Sequence, residues 1–307
     1  MPRCYYVFTL AALMVVAQGI DTTSQVRPPV IDVHVHSTNT TPREALQRME
    51  ALNIRYVFVS SLAADVPPWT EAMNAGRFLP ALVLPCDAGR VPITGRACWD
   101  GNLSFPDVAW LRGELQSGRL RGLGEMSPQY LGVTPNDPKM EPYWSLAEEF
   151  DVPVGIHMGP GPPGAAYDAS PVPFKSPSFS MAASDPMLLE PVLLRHKRLR
   201  LFVMHAGWPR LEPMLALLYA HPNVYVDVAA LQTPYMVPRP AYSRYLQSLV
   251  ESGFGKRVMF GSDFPDQASA GIDAITAATF LTADQKADVL CNNAARFLRL
   301  NAAVCAP

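Results

Sequence analysis

Charge is scarce and balanced in this sequence of 307 residues. Twenty-five basic residues face 27 acidic ones, the net charge is −2, and no block of like charge occurs. That balance argues against nucleic acid or an anionic membrane surface as a partner. No segment repeats, and no glycine-rich phosphate loop follows an apolar run, which weakens an open nucleotide-binding sheet. The five cysteines lack the close spacing of a zinc–thiolate site. Histidine is nearly as rare, with six in the chain. A hydrophobic share of 49% is what remains, enough for a well-cored globular chain.

The apolar run from Tyr5 to Ala17 is too short for a comfortable membrane span. Arg3 before it, and the small residues Val15 and Ala17 at its end, read as an export signal over residues 1–17. The expected product is periplasmic or secreted, with no stable membrane insertion after cleavage. Four cysteines would then remain, an even count that permits disulfides. Cys86 with Cys98 and Cys291 with Cys305 are the short-loop pairings; free buried thiols are the alternative. "NTT" at Asn39 and "NLS" at Asn102 are glycosylation sequons only in a eukaryotic host.

Residues 18–307 read as one domain in which apolar runs alternate with helical stretches. The strand candidates are 30–36, 55–60, 78–84, 120–125, 153–157, 200–205, 223–228 and 257–262. They are rich in Val, Leu, Ile and Phe, as strands covered on both faces should be. "TPREALQRMEAL" opens with Thr41 as N-cap, Pro42 in the first turn and Glu44 at the third position, a helix start. Eight strand–helix units in about 280 residues imply a (β/α)8 TIM barrel. The proline-rich stretch 159–184 is too long for a plain connection and reads as a lid over the barrel mouth.

Within this pattern, "PPVIDVHVHS" (residues 28–37) carries Asp32, His34 and His36 at every second position of an apolar run. Alternate residues of a strand share a face, so both imidazoles can address one cation, with Asp32 two residues deeper as a supporting partner. Glu125, His157 and His205 end the fourth, fifth and sixth strands, and Asp263 follows the eighth. All six groups therefore sit at C-terminal strand ends, the rim where barrel enzymes assemble their sites. Any one of them has a bland explanation: a hydrogen-bonded core histidine, a salt-bridged acid, a turn aspartate. Six buried together cost several kcal/mol each unless a counter-charge is present, and a divalent metal supplies it.

"VIDVHVHS", "GEM", "IHMG", "FVMHAGWPRLEPMLALLYAHPNVYVDVA", "VMFGSDFP" and "NNAARFLRL" together resemble the amidohydrolase superfamily, specifically amidohydrolase-related (amidohydrolase 2) proteins, from about residue 30 to 300. The resemblance implies a metal-bearing barrel, mostly hydrolases with some non-oxidative decarboxylases. By position it implies that His34, His36 and Asp263 bind the more buried metal and that His157 and His205 bind the more exposed one. It also implies that Glu125 bridges them, in place of the carboxylated lysine of many relatives. Two divalent cations per chain, zinc first and Mn, Fe or Co as alternatives, would generate a metal-bound hydroxide that cleaves a small amide, ester or lactone. Asp263 would move the proton.

Two other readings stand beside that one. The first is a one-metal decarboxylase resembling aminocarboxymuconate-semialdehyde decarboxylase, in which Asp263 moves a proton to carbon. The second is an exported metal-binding protein without catalysis. The partner expected is a small-molecule substrate, and a homodimer is the default assembly. Trp208, Tyr167 and Lys175 are the candidate substrate contacts. Phe174, Phe179 and Gln232 are further pocket candidates, and Asp227 reads either as a ligand-ordering acid or as a plain interior one.

Overall fold

The computed structural model describes residues 27–71, 76–91, 95–167, 175–234 and 236–306. The leader expected over residues 1–17 lies outside them, as does Phe174. Eight parallel strands follow one another around a single sheet: β1 (Val30–His36), β2 (Ile54–Ser61), β3 (Phe78–Leu84), β4 (Gly122–Met126), β5 (Pro153–His157), β6 (Arg200–Met204), β7 (Val224–Asp227) and β8 (Val258–Met259). Past β8 the chain returns to β1. Val33 N donates to Phe260 O at 3.1 Å, and Asp263 N donates to His34 O at 2.7 Å. This is the (β/α)8 TIM barrel that the alternating pattern predicts. The strands lie within about two residues of their expected places. The last is the exception, because only Val258 and Met259 pair regularly and residues 260–262 run on as irregular backbone.

The helices are α1 (Pro42–Leu52), α2 (Val66–Glu71), α3 (Val108–Gln116), α4 (Glu141–Glu149), α5 (Glu190–Arg195), α6 (Leu211–Ala220), α7 (Arg239–Leu249), α8 (Ala268–Thr276), α9 (Ala283–Ala287) and α10 (Asn293–Phe297). The capping box of α1 forms: Thr41 Oγ1 accepts from Glu44 N at 3.3 Å, and Glu44 Oε2 accepts from Thr41 N at 2.8 Å. No helix among the described residues is long and apolar enough to cross a membrane. Both short-loop disulfides are present, Cys86–Cys98 and Cys291–Cys305.

Two buried clusters hold the barrel. The larger lies between the outer strand faces and the helices, with Met49 of α1 against Val35 and Val57. The smaller fills the barrel below the rim, where Ile31, Val33, Phe58, Phe202 and Met259 meet Phe297 of α10. Phe58 and Phe202 pack edge-on with centroids 5.7 Å apart. They fit because β4 and β5 are bare beneath them: a Cβ on Gly155 would stand 2.5 Å from the Phe202 ring. Burying each such ring contributes roughly 1.5–3 kcal/mol.

β1 departs from the simple alternation expected of it. Asp32 pairs with Val57 and Val35 with Val59, so three steps of β1 match two of β2. That extra residue is a β-bulge, which re-aims the side chains on either side of it. His34 and His36 face the barrel mouth as expected. Asp32 does not share their face: it lies with Val35, Met49 and Val57, toward α1.

Candidate metal centre

The rim brings together all six predicted groups. Nε2 of His34 and Nε2 of His36 are 3.2 Å apart. Asp263 Oδ1 stands 3.7 Å from the first and 3.3 Å from the second. Glu125 Oε2 is 3.0 Å from His36 Nε2, while Glu125 Oε1 pairs with His157 Nδ1 and lies 3.9 Å from His205 Nε2. Three overlapping triads, His34/His36/Glu125, His34/His205/Asp263 and Glu125/His157/His205, each have their donor atoms within 4.8 Å of one another. Two ligands about 2.1 Å from one ion are separated by at most about 4.2 Å, so the contacts above fit coordination.

The opposite ring nitrogens tell the same story. His34 Nδ1 faces Asp227 Oδ2 at 3.0 Å, His157 Nε2 faces Pro160 O at 3.1 Å, and His205 Nδ1 faces Ala229 O at 3.0 Å. A carbonyl or carboxylate there can only accept, so the outward nitrogen carries the hydrogen. In the neutral ring the inward nitrogen then presents a lone pair. Lone pairs and two carboxylates converging at 3–4 Å repel unless a cation or protons lie between them. Nitrogen and oxygen donors of this kind suit a borderline divalent ion such as zinc.

With protons alone as counter-charge, the titrations shift accordingly. Burial opposes a charge on His36, but Asp263 and Glu125 outweigh it and push the imidazole up to about 9. Burial likewise opposes charge on Glu125 and Asp263. The surrounding imidazoles win, holding Glu125 well below the usual carboxylate range and Asp263 below its own.

Backbone strain is concentrated here. His205 (φ 55°), Ala206 (φ 48°), Ala230 (φ 61°) and Asp263 (φ 61°) all adopt left-handed backbone without being glycine. Such residues cost of order 1 kcal/mol each and persist where their surroundings hold them. Asp227 is one such hold, because its Oδ1 accepts from His205 N at 2.8 Å and Ala229 N at 3.0 Å. Gly261 is required on steric grounds, since a Cβ there would meet His34 Cβ at 2.7 Å.

Asp227 is thus the acid that orients an imidazole, and Asp32 has a different task. Asp32 Oδ1 accepts from His34 N at 3.1 Å, within the bulge, and from Ser262 N at 2.9 Å, on the irregular backbone past β8, so both buried amides have an acceptor. Burial pushes its carboxyl up to about 6 against those hydrogen bonds.

A cavity of about 790 Å³ opens above the six groups. Trp208 lines it, as expected, and so do Pro160 and Pro163 at the start of the 159–184 stretch. Tyr167 and Lys175 do not: a turn closed by Tyr167 N to Gly164 O carries Tyr167 outward, leaving it 73% exposed, and Lys175 is exposed as well. Gln232 is buried beneath the wall and donates to Gly261 O at 3.1 Å. Phe179 packs on Tyr130, with centroids 5.3 Å apart. Tyr130 itself, just after β4, was not legible as a site residue. It lines the cavity with its ring edge-on to His157 at 5.7 Å. Burial and then the charges of Glu125 and Asp263 push its phenol well above its ordinary value, so it stays protonated. Only its place after a strand bearing a rim acid could have flagged it.

The fold has solved counterparts. An uncharacterized TIM-barrel protein, Bb4693 from Bordetella bronchiseptica, superposes with a TM-score of 0.61 at 15% identity, covering 88% of this chain and 98% of that one. A probable 2-pyrone-4,6-dicarboxylic acid hydrolase from Acinetobacter baumannii gives 0.59 at 13% identity, covering 89% and 100%. The 2,6-dihydroxybenzoate decarboxylase from Rhizobium gives 0.55 at 15% identity, covering 89% and 98%. At these identities the likeness is one of fold. No curated protein matches the sequence significantly. The family model described as amidohydrolase (Amidohydro_2) matches residues 31–300, and the chain belongs to that family.

Proposed function

We propose that this chain is a metal-dependent hydrolase that cleaves a small amide, ester or lactone. The family is metal-dependent, and its solved neighbours named above include a hydrolase and a decarboxylase, enzymes of small molecules. The observation that carries the hydrolase reading is the divided carboxylate of Glu125, one oxygen toward His36 and the other toward His157. Such a group suits two cations, with His34, His36 and Asp263 holding one and His157 and His205 the other. Zinc is the metal we assign to these donors.

Cations bound there would lower the pKa of a water and polarise the substrate carbonyl. Asp263, kept ionised, accepts a proton from the attacking water and returns it to the departing oxygen or nitrogen. The water's oxygen becomes bonded to the carbonyl carbon as the bond to the leaving group breaks. Tyr130, kept protonated, can donate a hydrogen bond within the cavity. The left-handed backbone of His205 and Asp263 sets both side chains before substrate arrives.

Two disulfides suit an oxidising compartment, which favours an exported protein. We assign the chain to the periplasm or the exterior, delivered by residues 1–17, and take a homodimer as the assembly to test. The experiment is elemental analysis of the purified protein alongside a panel of lactones, esters and amides, with and without chelator. Two metals per chain and chelator-sensitive turnover are expected. One metal with release of carbon dioxide from an aromatic acid would instead favour the decarboxylase reading.

A further inference from the structure

We infer that the substrate carries no ionic group and that a sizeable apolar body adjoins its reacting carbonyl; this rests on the hydrolase reading of the same cavity. The imidazoles and all but one of the carboxylates that line the site stand on its floor, and the other polar lining residues, such as Thr38, Asn39 and Ser127, are uncharged. Its walls come from loops after different strands and are apolar: Leu62 after β2, Pro85 after β3, Trp208 after β6, Leu231 and Val237 after β7, and Phe264 after β8. A volume of about 790 Å³ is far more than a reacting carbonyl needs, and a pocket of this size and character encloses a largely apolar small molecule.

Among the described residues, no lysine or arginine lines the cavity. The internal stretches outside them (72–75, 92–94, 168–174 and 235) contain neither residue. Arg96, on the loop that brings Val91 and Asp87 to the rim, is paired with Asp65. Arg210, two residues past Trp208, is paired with Asp185 at 2.8 Å. The charged side chain that the upper wall does hold is an acid, Asp87. A substrate carboxylate lodged away from the floor would therefore lose its water without gaining a donor of positive charge, a severe penalty. An alkyl or aryl group in the same place gains from every apolar contact.

The test uses the zinc-loaded full protein and matched pairs. 4-Nitrophenyl hexanoate and the 4-nitrophenyl monoester of adipic acid differ mainly in a terminal carboxylate. We expect kcat/KM to favour the hexanoate at least 100-fold. Binding is read separately by calorimetry, with 2-octanone against 7-oxooctanoate, both with zinc and after chelation. Tighter binding of the ketone in the chelated protein is expected, because the walls are unchanged by the metal. If neither ester turns over, ester hydrolysis fails as the activity, yet the calorimetric preference still decides the inference. Equal or tighter binding of 7-oxooctanoate to the chelated protein overturns it. Met236→Lys, at a half-exposed wall position, should narrow the ester preference at least tenfold; an unchanged preference counts against a role for wall charge.

Discussion

Glu125 presents its two oxygens to different partners: Oε2 lies 3.0 Å from Nε2 of His36, while Oε1 pairs with His157. One short strand, β4, thereby ties the first strand's imidazoles to His157 at the end of β5 and His205 just after β6. That link makes Glu125→Gln the most informative substitution. The amide keeps the volume but loses the charge and one acceptor. The expected result is a fall from two bound metals to one by elemental analysis, with kcat/KM reduced at least about 100-fold. An unchanged metal count would remove Glu125 from the bridging role.

Asp263→Asn tests the proton carrier. The backbone bond from Asp263 N to His34 O does not involve the side chain, so the fold should persist by circular dichroism. kcat should drop by roughly 10²–10⁴. Retention of most activity by a folded, metal-loaded variant would refute the assignment.

Asp227→Asn addresses the orienting bond to His34 Nδ1. Loss of such a supporting carboxylate typically costs about 10–100-fold in metal affinity. A competition titration with a chromophoric chelator should register that weakening even with no substrate present. Affinity equal to wild type would mean that the His34 tautomer is set by something else.

Asp32→Ala separates backbone support from ligand support. It strips the acceptor from the amides of His34 and Ser262, which stay buried. Leaving buried donors unmatched costs about 1–3 kcal/mol each, so the midpoint of urea unfolding should fall clearly. Because the side chain faces α1 rather than the cavity, metal content of the folded fraction should change less than in Asp227→Asn.

The disulfides differ in position, and their removal should differ in effect. Closing a loop of about 15 residues is worth about 3 kcal/mol in the chain-entropy account, so either double Cys→Ser variant should lose stability on that scale. Cys86 lines the cavity, whereas Cys291 packs against the barrel interior near Phe297. Removing Cys86–Cys98 should therefore raise KM, and removing Cys291–Cys305 should leave KM near wild type. Equal KM changes in both would show that the first bridge does not shape the cavity wall.

Much of this protein was written locally. Eight apolar runs of strand length, spaced by helical stretches with caps such as Thr41–Glu44, determine a parallel barrel, because burial on both faces and short-range capping are properties of neighbouring residues. The six rim groups were legible for the same reason: each breaks an apolar pattern at a strand's C-terminal end. Tertiary structure alone decided the rest. The bulge in β1 turned Asp32 away from His34 and His36, since register depends on the pairing with β2 and not on the period of one strand. Asp227 reached His34 across 193 residues, and Tyr130 reached the cavity through a turn whose direction no local signal encodes. Tyr167 went outward on a similar turn. Which atoms meet at the floor, and that no described lysine or arginine lines the walls above them, follow from loops brought together only when the sheet closes on itself.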